Sequence, residues 1–425
     1  MGSAPATHVR PGPIVIVLGL LLAALLTPSP RAQSGAAPDT RWVGTWMSAQ
    51  QIVEPGNLPP APGFADATLR QIVHVSIGGR TLRVRFSNEF GSAPLTLAAA
   101  RIARASGGSA IDPATDRALT FGGRPAATIP EGAALLTDPL DFDLPPLSNL
   151  AVSIYVRGAP PHVTGHPGSR TTSYLHAGHA ASAPALPDAV PVDHWYFISG
   201  IDVRAPDAAG AIVVLGDSIT DGRGSTTNGN DRWPDVLARR LQATPATAEV
   251  AVLNAGIGGN RLLRDGLGPN ALARFDRDVL ARPGVRWLIV FEGINDIGTA
   301  AGAKAKGEPA ATADDIIGAY TQIIERARAL GIRVYGATIM PFEGFSYAGY
   351  FTAESEAERL KVNAWIRTSG RFDAVIDFDK VTRDPERPSR LSAAVDGGDR
   401  LHPSAAGYRI MADAIDLALF APPAR

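Results

Sequence analysis

The chain has 425 residues, a formal net charge of −1 and no cysteine. Its length exceeds what a single hydrophobic core usually holds, so we expect two domains. The balanced charge provides no basic surface to attract nucleic acid or an anionic membrane, and the lack of cysteine excludes disulfides and cysteine-ligated metals.

Residues 1–34 are typical of a secretion signal. The positive charge of Arg10 precedes an apolar run from Ile14 to Leu26, which is too short to span a bilayer comfortably. Small residues suit cleavage after Ser34, and an uncleaved anchor is the alternative. Cleavage removes two arginines and leaves a secreted or periplasmic protein of net charge −3, with no stable membrane insertion.

Residues 35–206 show the period-two alternation of half-buried β-strands. Apolar and polar residues alternate over 73–77 and 82–86, on either side of Gly78-Gly79, which predicts a hairpin. The alternation returns over 152–156, between turns rich in Gly, Pro and Asp. We therefore predict an antiparallel β-sandwich of the jelly-roll type.

In residues 207–425, strand-like runs alternate with helical runs. A short linker, Ala205 to Gly210, precedes the first of these strands. The predicted strands are 212–215, 250–253, 287–291, 333–338 and 374–376. The predicted helices are 233–241, 271–280, 313–330, 354–369 and 404–417. This rhythm favours right-handed βαβ units, and thus an α/β domain with a flavodoxin-like parallel sheet flanked by helices.

The stretch Ala211 to Asp221 (AIVVLGDSITD) is an apolar strand followed directly by a Gly-Asp-Ser turn. Ser218 would stand at the carboxyl end of this strand, where open α/β sheets place their reacting groups. A serine hydroxyl needs a base to remove its proton. Near the C-terminus, Asp399 precedes His402 by three residues, so the carboxylate can hold one ring nitrogen while the other faces Ser218. Pro403 is expected to begin the next helix.

Two further turns, each after an apolar run, are rich in glycine and asparagine: NAGIGGNR at 254–261 and GIND at 293–296. Gly259 has no Cβ, so its backbone N–H can approach a developing oxyanion closely. The side-chain amide of Asn295 can donate a second bond, and the N–H of Ser218 a third.

The blocks GDSIT, NAGIGG, GIND and DRLH, in this order, resemble those of SGNH hydrolases in the wider GDSL esterase and lipase family. The resemblance implies Ser218 as the nucleophile, His402 as the base and Asp399 as the residue that orients the base. It implies oxyanion donors at Ser218, Gly259 and Asn295, and chemistry without a metal or organic cofactor. A β-domain that opens with Trp-Val-Gly-Thr-Trp resembles, more loosely, a two-domain branch that includes carbohydrate-acting esterases.

Each of these residues also has a structural interpretation when it is taken alone. Gly-Asp-Ser and Asn-Asp are common turns, His402 fits a helix start, and Asp399 fits a solvated loop acid. Structural roles alone do not predict all four blocks in this order. The neighbouring acids Asp217, Asp221 and Asp296 are interpreted as structural, because nothing else in the sequence requires a pair of catalytic carboxylates.

Three segments outside the motifs have two open interpretations each. Trp42, Trp46 and the run 85–91 either stack on sugar rings or pack within the protein. The run 300–311 is either a mobile flap or a long solvated loop. The aromatic residues within 342–351 either line the pocket for the acyl or leaving group or cover the core.

The leading hypothesis is a secreted serine carboxylic ester hydrolase that forms an acyl-enzyme. Its substrate would be a small-molecule or polysaccharide ester. The presence of the β-domain is the only reason to favour deacetylation of a carbohydrate over hydrolysis of a lipid. The alternatives are a lysophospholipase or short-chain lipase, an acyltransferase, and a carbohydrate-binding module with an inactive hydrolase fold.

Overall fold

The computed structural model describes residues 1–4, 12, 40–158 and 160–421. Most of the predicted signal segment, 1–34, lies outside these residues, as does its cleavage site. Within 40–158 and 160–421, no helix combines the length and apolar character needed to cross a lipid bilayer. Asp39 to Arg425 form one compact unit, and the predicted domain limits, 35–206 and 207–425, stay predictions.

The described residues before Asp207 form short and medium antiparallel strands. They are β1 (Thr40–Met47), β2 (Gln51–Ile52), β3 (Ala67–His74), β4 (Gly79–Ser87), β5 (Leu95–Gly107), β6 (Ala110–Ile111), β7 (Arg117–Ala118), β8 (Ala127–Ile129), β9 (Ala134–Leu136), β10 (Leu140–Leu144), β11 (Asn149–Val156), β12 (Thr164–His166), β13 (Ser173–Ala177), β14 (Val190–Val192), β15 (Trp195–Tyr196) and β16 (Ile198–Pro206). One sheet has the order β1-β16-β4-β10, with β9 also on β4, and a second has the order β14-β13-β3-β11-β5-β6, with β7 and β8 on β5. A small third sheet joins β15, β12 and β2. These sheets confirm the predicted antiparallel β-domain.

The predicted hairpin around Gly78-Gly79 is wrong, because β3 and β4 belong to different sheets. β3 pairs with β11 and β13, whereas β4 pairs with β16, β10 and β9. The chain crosses between the sheets at residues 75–78, where the Ser76 N–H donates to the Thr45 carbonyl at 3.0 Å. Gly78 is needed there for close packing, since a Cβ would lie 2.3 Å from the Leu144 carbonyl oxygen.

From Gly210 onward, strands and helices alternate as predicted. They are β17 (Gly210–Gly216), α1 (Ser218–Asp221), α2 (Trp233–Gln242), β18 (Val250–Gly256), α3 (Ala271–Phe275), β19 (Val285–Phe291), α4 (Ile294–Gly298), α5 (Ala300–Ala305), α6 (Ala313–Arg328), β20 (Arg333–Ala337), α7 (Ala353–Thr368), β21 (Ala374–Ile376), α8 (Phe378–Thr382) and α9 (Ala405–Asp413). A π-helical turn, Asp276–Leu280, continues α3. The five strands are parallel, in the order β18-β17-β19-β20-β21, which is the flavodoxin-like order. The predicted α/β fold is confirmed.

The segment 300–311 is not a loop over its whole length, because its first half is the helix α5. Alanine-rich sequences favour helix, and Lys304 bonds Glu354 at the start of α7 at 2.5 Å. Only the residues after α5 form the loop that leads to α6.

The antiparallel sheets pack directly against the edge of the parallel sheet. A Cβ on Gly44 of β1 would lie 2.8 Å from a methyl carbon of Leu253 on β18. The N–H of Val252 donates to the Ser76 hydroxyl at 3.1 Å, so a side chain satisfies a backbone donor of this edge strand. The interior strand β17, next to the edge strand β18, is buried throughout its length. The strand that leads to Ser218 therefore lies deep in the joint core.

Candidate active site

Ser218 stands where the interior strand β17 meets the short helix α1. Asp217 caps this helix by accepting a hydrogen bond from the Ile219 N–H at 2.9 Å. Gly222 ends the helix with a φ of +101°, a conformation that favours glycine. Gly216 is also required, because a Cβ there would lie 2.2 Å from the Thr220 hydroxyl oxygen. These constraints hold Ser218 at the carboxyl end of the strand, as predicted.

His402 and Asp399 reach Ser218 from the loop before α9. The Ser218 hydroxyl oxygen lies 2.8 Å from His402 Nε2, and His402 Nδ1 lies 2.7 Å from Asp399 Oδ2. Because the carboxylate can only accept, Nδ1 carries the hydrogen and donates it to Asp399. Nε2 is then an acceptor for the serine O–H. The structure thus joins the three residues in one hydrogen-bonded chain, in the tautomer that a base requires.

The loop itself holds Asp399 in place. The second carboxylate oxygen, Oδ1, accepts from the backbone N–H groups of Leu401 at 3.0 Å and of His402 at 2.8 Å. Arg400, between Asp399 and Leu401, has a φ of +68°, which is uncommon for a residue with a side chain. Such local strain is frequent where a functional side chain must be aimed.

Pro403 does not begin the following helix, contrary to the sequence prediction. Ser404 is the N-cap residue, and its hydroxyl accepts from the Gly407 N–H at 3.2 Å, so α9 starts at Ala405. A serine is a better cap than a histidine, because its oxygen accepts from the first turn. Pro403 instead forms an isolated β-bridge with Asp396.

The electrostatic surroundings of His402 favour a neutral base. Burial lowers the pKa of His402, the Asp399 carboxylate opposes this by raising it, and the positive charges of Arg223 and Arg170 lower it further. The net shift of the pKa is downward. Burial raises the pKa of Asp399, but the hydrogen bonds from His402 and Leu401 outweigh it and hold this pKa below its ordinary value.

The two glycine- and asparagine-rich turns follow β18 and β19, the neighbours of β17. Gly259 has a φ of +69°, and its N–H donates to no other described residue. The side-chain amide of Asn295 donates to the Asn260 carbonyl at 2.9 Å, which joins the two turns. The Ile257 N–H donates to the Gly216 carbonyl at 3.0 Å, which joins them to the turn that carries Ser218. All the predicted oxyanion donors thus lie on turns that are bonded together.

Residues 214–410 match the model of the GDSL-like lipase/acylhydrolase family. The chain contains a GDSL-like lipase/acylhydrolase domain. This match identifies the protein as a serine ester hydrolase. No curated protein matches the sequence.

Three solved structures align to about half of this chain. A putative lipolytic protein of the G-D-S-L family from Desulfitobacterium hafniense is 22% identical, with 48% of this chain and 96% of that chain aligned and a TM-score of 0.35. A putative acylhydrolase from Bacteroides fragilis is 20% identical, with 49% and 86% aligned and a TM-score of 0.37. A catalytic mutant of an acetylxylan esterase from Geobacillus stearothermophilus is 22% identical, with 49% and 92% aligned and a TM-score of 0.38.

Two of the acids beside the motifs have the structural contacts expected of them. Asp217 caps α1, and Asp296 of the hydrolase domain accepts from the backbone N–H groups of Leu262 at 2.8 Å and Leu263 at 3.2 Å. Burial raises the pKa of Asp296 to about 6 and that of Asp217 to about 7. Among the described residues, no group of three or more His, Cys, Asp or Glu is arranged to hold a metal ion.

Asp221 has a partner that the sequence did not suggest. Its Oδ1 lies 2.8 Å from Nε2 of His166, which belongs to β12 in the antiparallel region. His166 Nδ1 lies 2.7 Å from the Ala49 carbonyl oxygen, and both side chains of the pair are almost fully buried. The last residue of α1, the helix that begins at Ser218, is therefore bonded to the antiparallel β-sheets. A lone histidine in a Thr-Gly-His strand carries no motif that would reveal this.

The aromatic residues near the N-terminus fit the packing interpretation. Trp46 is buried and meets Trp195 edge-on, with ring centroids 5.0 Å apart. Two guanidinium groups lie over the ring of Trp42, that of Arg83 at 4.3 Å and that of Arg204 at 4.6 Å. The ring thus already contacts charged groups of the protein itself. Within the run 85–91, the ring of Phe90 lies 5.2 Å below the Arg277 guanidinium.

The aromatic cluster after β20 contacts the hydrolase site on two sides. Phe345 lies edge-on to His402, with ring centroids 6.3 Å apart. The Tyr350 hydroxyl lies 2.9 Å from Oδ1 of Asn295. Phe342 and Tyr350 are buried, whereas Tyr347 is 65% exposed. Part of the cluster therefore covers the core, and part of it contacts the base and an expected oxyanion donor.

Proposed function

We propose that Ser218 is the nucleophile of an acyl-enzyme mechanism. The observation that carries this proposal is the chain of two hydrogen bonds, 2.8 Å from Ser218 to His402 and 2.7 Å from His402 to Asp399. His402 takes the serine proton as the oxygen attacks the ester carbonyl, and then gives it to the leaving alcohol. A water molecule, activated by the same base, releases the acid.

The developing oxyanion is stabilised by three donors in this proposal. These are the N–H groups of Ser218 and Gly259 and the side-chain amide of Asn295. The N–H groups donate to no other described residue. Removal of one such donor in other serine hydrolases costs about a hundred- to thousandfold in turnover.

We propose short acyl groups as substrates, with acetylated carbohydrate as the favoured class. Ser218, His402 and Asn295 are each at most 9% exposed, and aromatic side chains contact the last two, which supports a small acyl group. Away from Ser218, a cavity of about 230 Å³ between the antiparallel sheets and the loop after α1 has the lining of a site for a neutral polar ligand, and none of Ser218, Asn295 and His402 lines it. Its lining includes amide, hydroxyl, imidazole and phenol side chains, namely Asn149, Asn228, Asn230, Thr171, His74 and Tyr174, and no carboxylate or cation.

The first experiment is hydrolysis of p-nitrophenyl esters from acetate to palmitate. The comparison is between the wild type, Ser218→Ala and the matched control Ser225→Ala, which lies in the next turn. We expect acetate hydrolysis that disappears only in Ser218→Ala, a burst of nitrophenol release, and acetate released from acetylated xylan. Rates that rise with chain length would favour the lipase alternative. Activity that survives in Ser218→Ala would refute the proposed nucleophile.

We also propose that the protein is exported, with cleavage after Ser34. The proposal is supported by the apolar run within residues 1–34. Mass spectrometry of protein recovered from outside the cytoplasm should show a mature chain that starts near Gly35. A mature chain that begins at Met1 would contradict it.

A further inference from the structure

The side-chain amide of Asn295 is held from both ends. Its nitrogen donates to the Asn260 carbonyl at 2.9 Å, and its oxygen lies 2.9 Å from the Tyr350 hydroxyl. Asn295 is 9% exposed, so water contributes little to holding it. Tyr350 comes from the segment between β20 and α7, 55 residues further along the chain.

The two contacts determine which way the amide points. A flipped amide would set its oxygen against the Asn260 carbonyl oxygen, with no hydrogen between them. In the observed orientation, the Tyr350 hydroxyl donates to the amide oxygen. The amide nitrogen then has a second hydrogen, which has no acceptor among the described residues. This hydrogen is the one left for an oxyanion.

The surroundings of Tyr350 keep its hydroxyl a hydrogen-bond donor. Burial raises the pKa of its phenol well above the ordinary value, and the negative charges of Asp217 and Asp296 add to this shift. The hydroxyl therefore stays protonated at neutral pH. Its ring packs against Gly298 of α4, where a Cβ would lie 2.2 Å from the ring, and edge-on against Phe345 at 4.9 Å.

We propose that Tyr350 is a positioning residue for the oxyanion hole, and that it acts through Asn295. Its hydroxyl fixes the amide plane, and the hydrogen bond to the amide oxygen draws electron density from the nitrogen. That makes the remaining N–H a stronger donor, since linked hydrogen bonds reinforce one another. This inference rests on the proposed function, because it takes Asn295 as an oxyanion donor.

The test is a double-mutant cycle on p-nitrophenyl acetate with Tyr350→Phe and Asn295→Ala. Tyr350→Phe keeps the packed ring and removes one hydroxyl, so we expect kcat to fall about tenfold with KM unchanged. In the Asn295→Ala background the same substitution should change kcat by less than about twofold. A boronic acid inhibitor that mimics the oxyanion should bind Tyr350→Phe weaker by the same factor as kcat.

The matched control is Tyr335→Phe. Its hydroxyl donates to the Leu419 carbonyl at 2.6 Å, and its ring packs on Phe420 near the C-terminus. It removes an equivalent bond away from Ser218, so we expect kcat to be unchanged. If Tyr350→Phe does not fold, a ring-fluorinated tyrosine at position 350 keeps the hydroxyl and strengthens it as a donor. A kcat at or above the wild-type value is then expected, and a lower one overturns the inference.

The outcomes distinguish the oxyanion role of Asn295 from the positioning role of Tyr350. Asn295→Ala with normal kcat would remove the oxyanion role from the proposed function, and this inference with it. A large loss in Asn295→Ala with no loss in Tyr350→Phe would overturn the inference alone. An equal loss from Tyr350→Phe in both backgrounds would also overturn it, because Tyr350 would then act through packing in general.

Discussion

Replacing His166 with alanine tests how the β-sheets are attached to the nucleophile helix. Both ring nitrogens of His166 face acceptors, the Ala49 carbonyl and the Asp221 carboxylate. If both nitrogens carry hydrogen, the ring donates both bonds and the buried pair is an imidazolium with a carboxylate, which is the arrangement that the substitution tests. The substitution removes both bonds and leaves the Asp221 carboxylate buried. The other oxygen of this carboxylate, Oδ2, has no hydrogen-bond partner among the described residues.

Breaking a buried ion pair from one side costs about 3 to 5 kcal/mol, because the remaining charge is uncompensated. The entropy of unfolding is about 2.1 cal/mol/K per residue. If residues 39–425, which form one compact unit, unfold together, that cost lowers the melting temperature by about 4 to 6 °C. Differential scanning calorimetry at neutral pH measures this shift directly.

Two further variants sharpen this test. His162→Ala is the matched control, since His162 is exposed and its ring makes no bond with the described residues, and we expect a shift below about 1 °C. Asp221→Asn should lose less than His166→Ala, because an amide can donate to a neutral ring. A melting temperature unchanged in His166→Ala, or a greater loss in Asp221→Asn, would refute the charged pair.

The remaining predictions concern the charges around the site. Asp399→Asn should lower kcat by about 10⁴, as loss of the orienting carboxylate does in other triads, and hydrolysis of p-nitrophenyl acetate measures it. Arg223→Gln removes a charge that lowers the pKa of His402, so the acidic limb of kcat/KM should move to higher pH. An acidic limb that stays in place would contradict this. Burial raises the pKa of Asp217 to about 7. The native state then binds more protons than the unfolded state between about pH 4 and 7, so stability falls as pH rises through that window. Asp217→Asn keeps an acceptor for Ile219 and should gain melting temperature over the wild type at pH 8 but not at pH 5.

The parallel sheet and the motif turns could be predicted because their signals are local. β17, β18 and β19 are apolar runs that end directly in glycine-containing turns. The candidate site residue of each turn follows within four positions of the end of its strand. Asp399 and His402 are likewise neighbours in the chain. The sequence therefore indicated the turns that the structure brings together at one edge of the sheet.

The rest depends on pairings between distant residues. The strands β3 and β4 alternate correctly, but their partners lie elsewhere in the chain, so the expected hairpin did not form. The contacts of His166 with Asp221 and of Tyr350 with Asn295 each join residues 55 positions apart. A single histidine and a single tyrosine have no periodicity or spacing, and only the folded chain shows what they touch.

The bond between Ser218 and His402 joins residues 184 positions apart. At a synthesis rate of about 5 to 20 residues per second, the ribosome adds the histidine roughly 10 to 40 seconds after the serine. Throughout that interval, and in any chain that ends before position 402, the serine hydroxyl has no base beside it. Ester hydrolysis by this mechanism therefore begins only once translation has passed His402, the end of the last motif block. Activity itself then shows that the chain extends beyond that position.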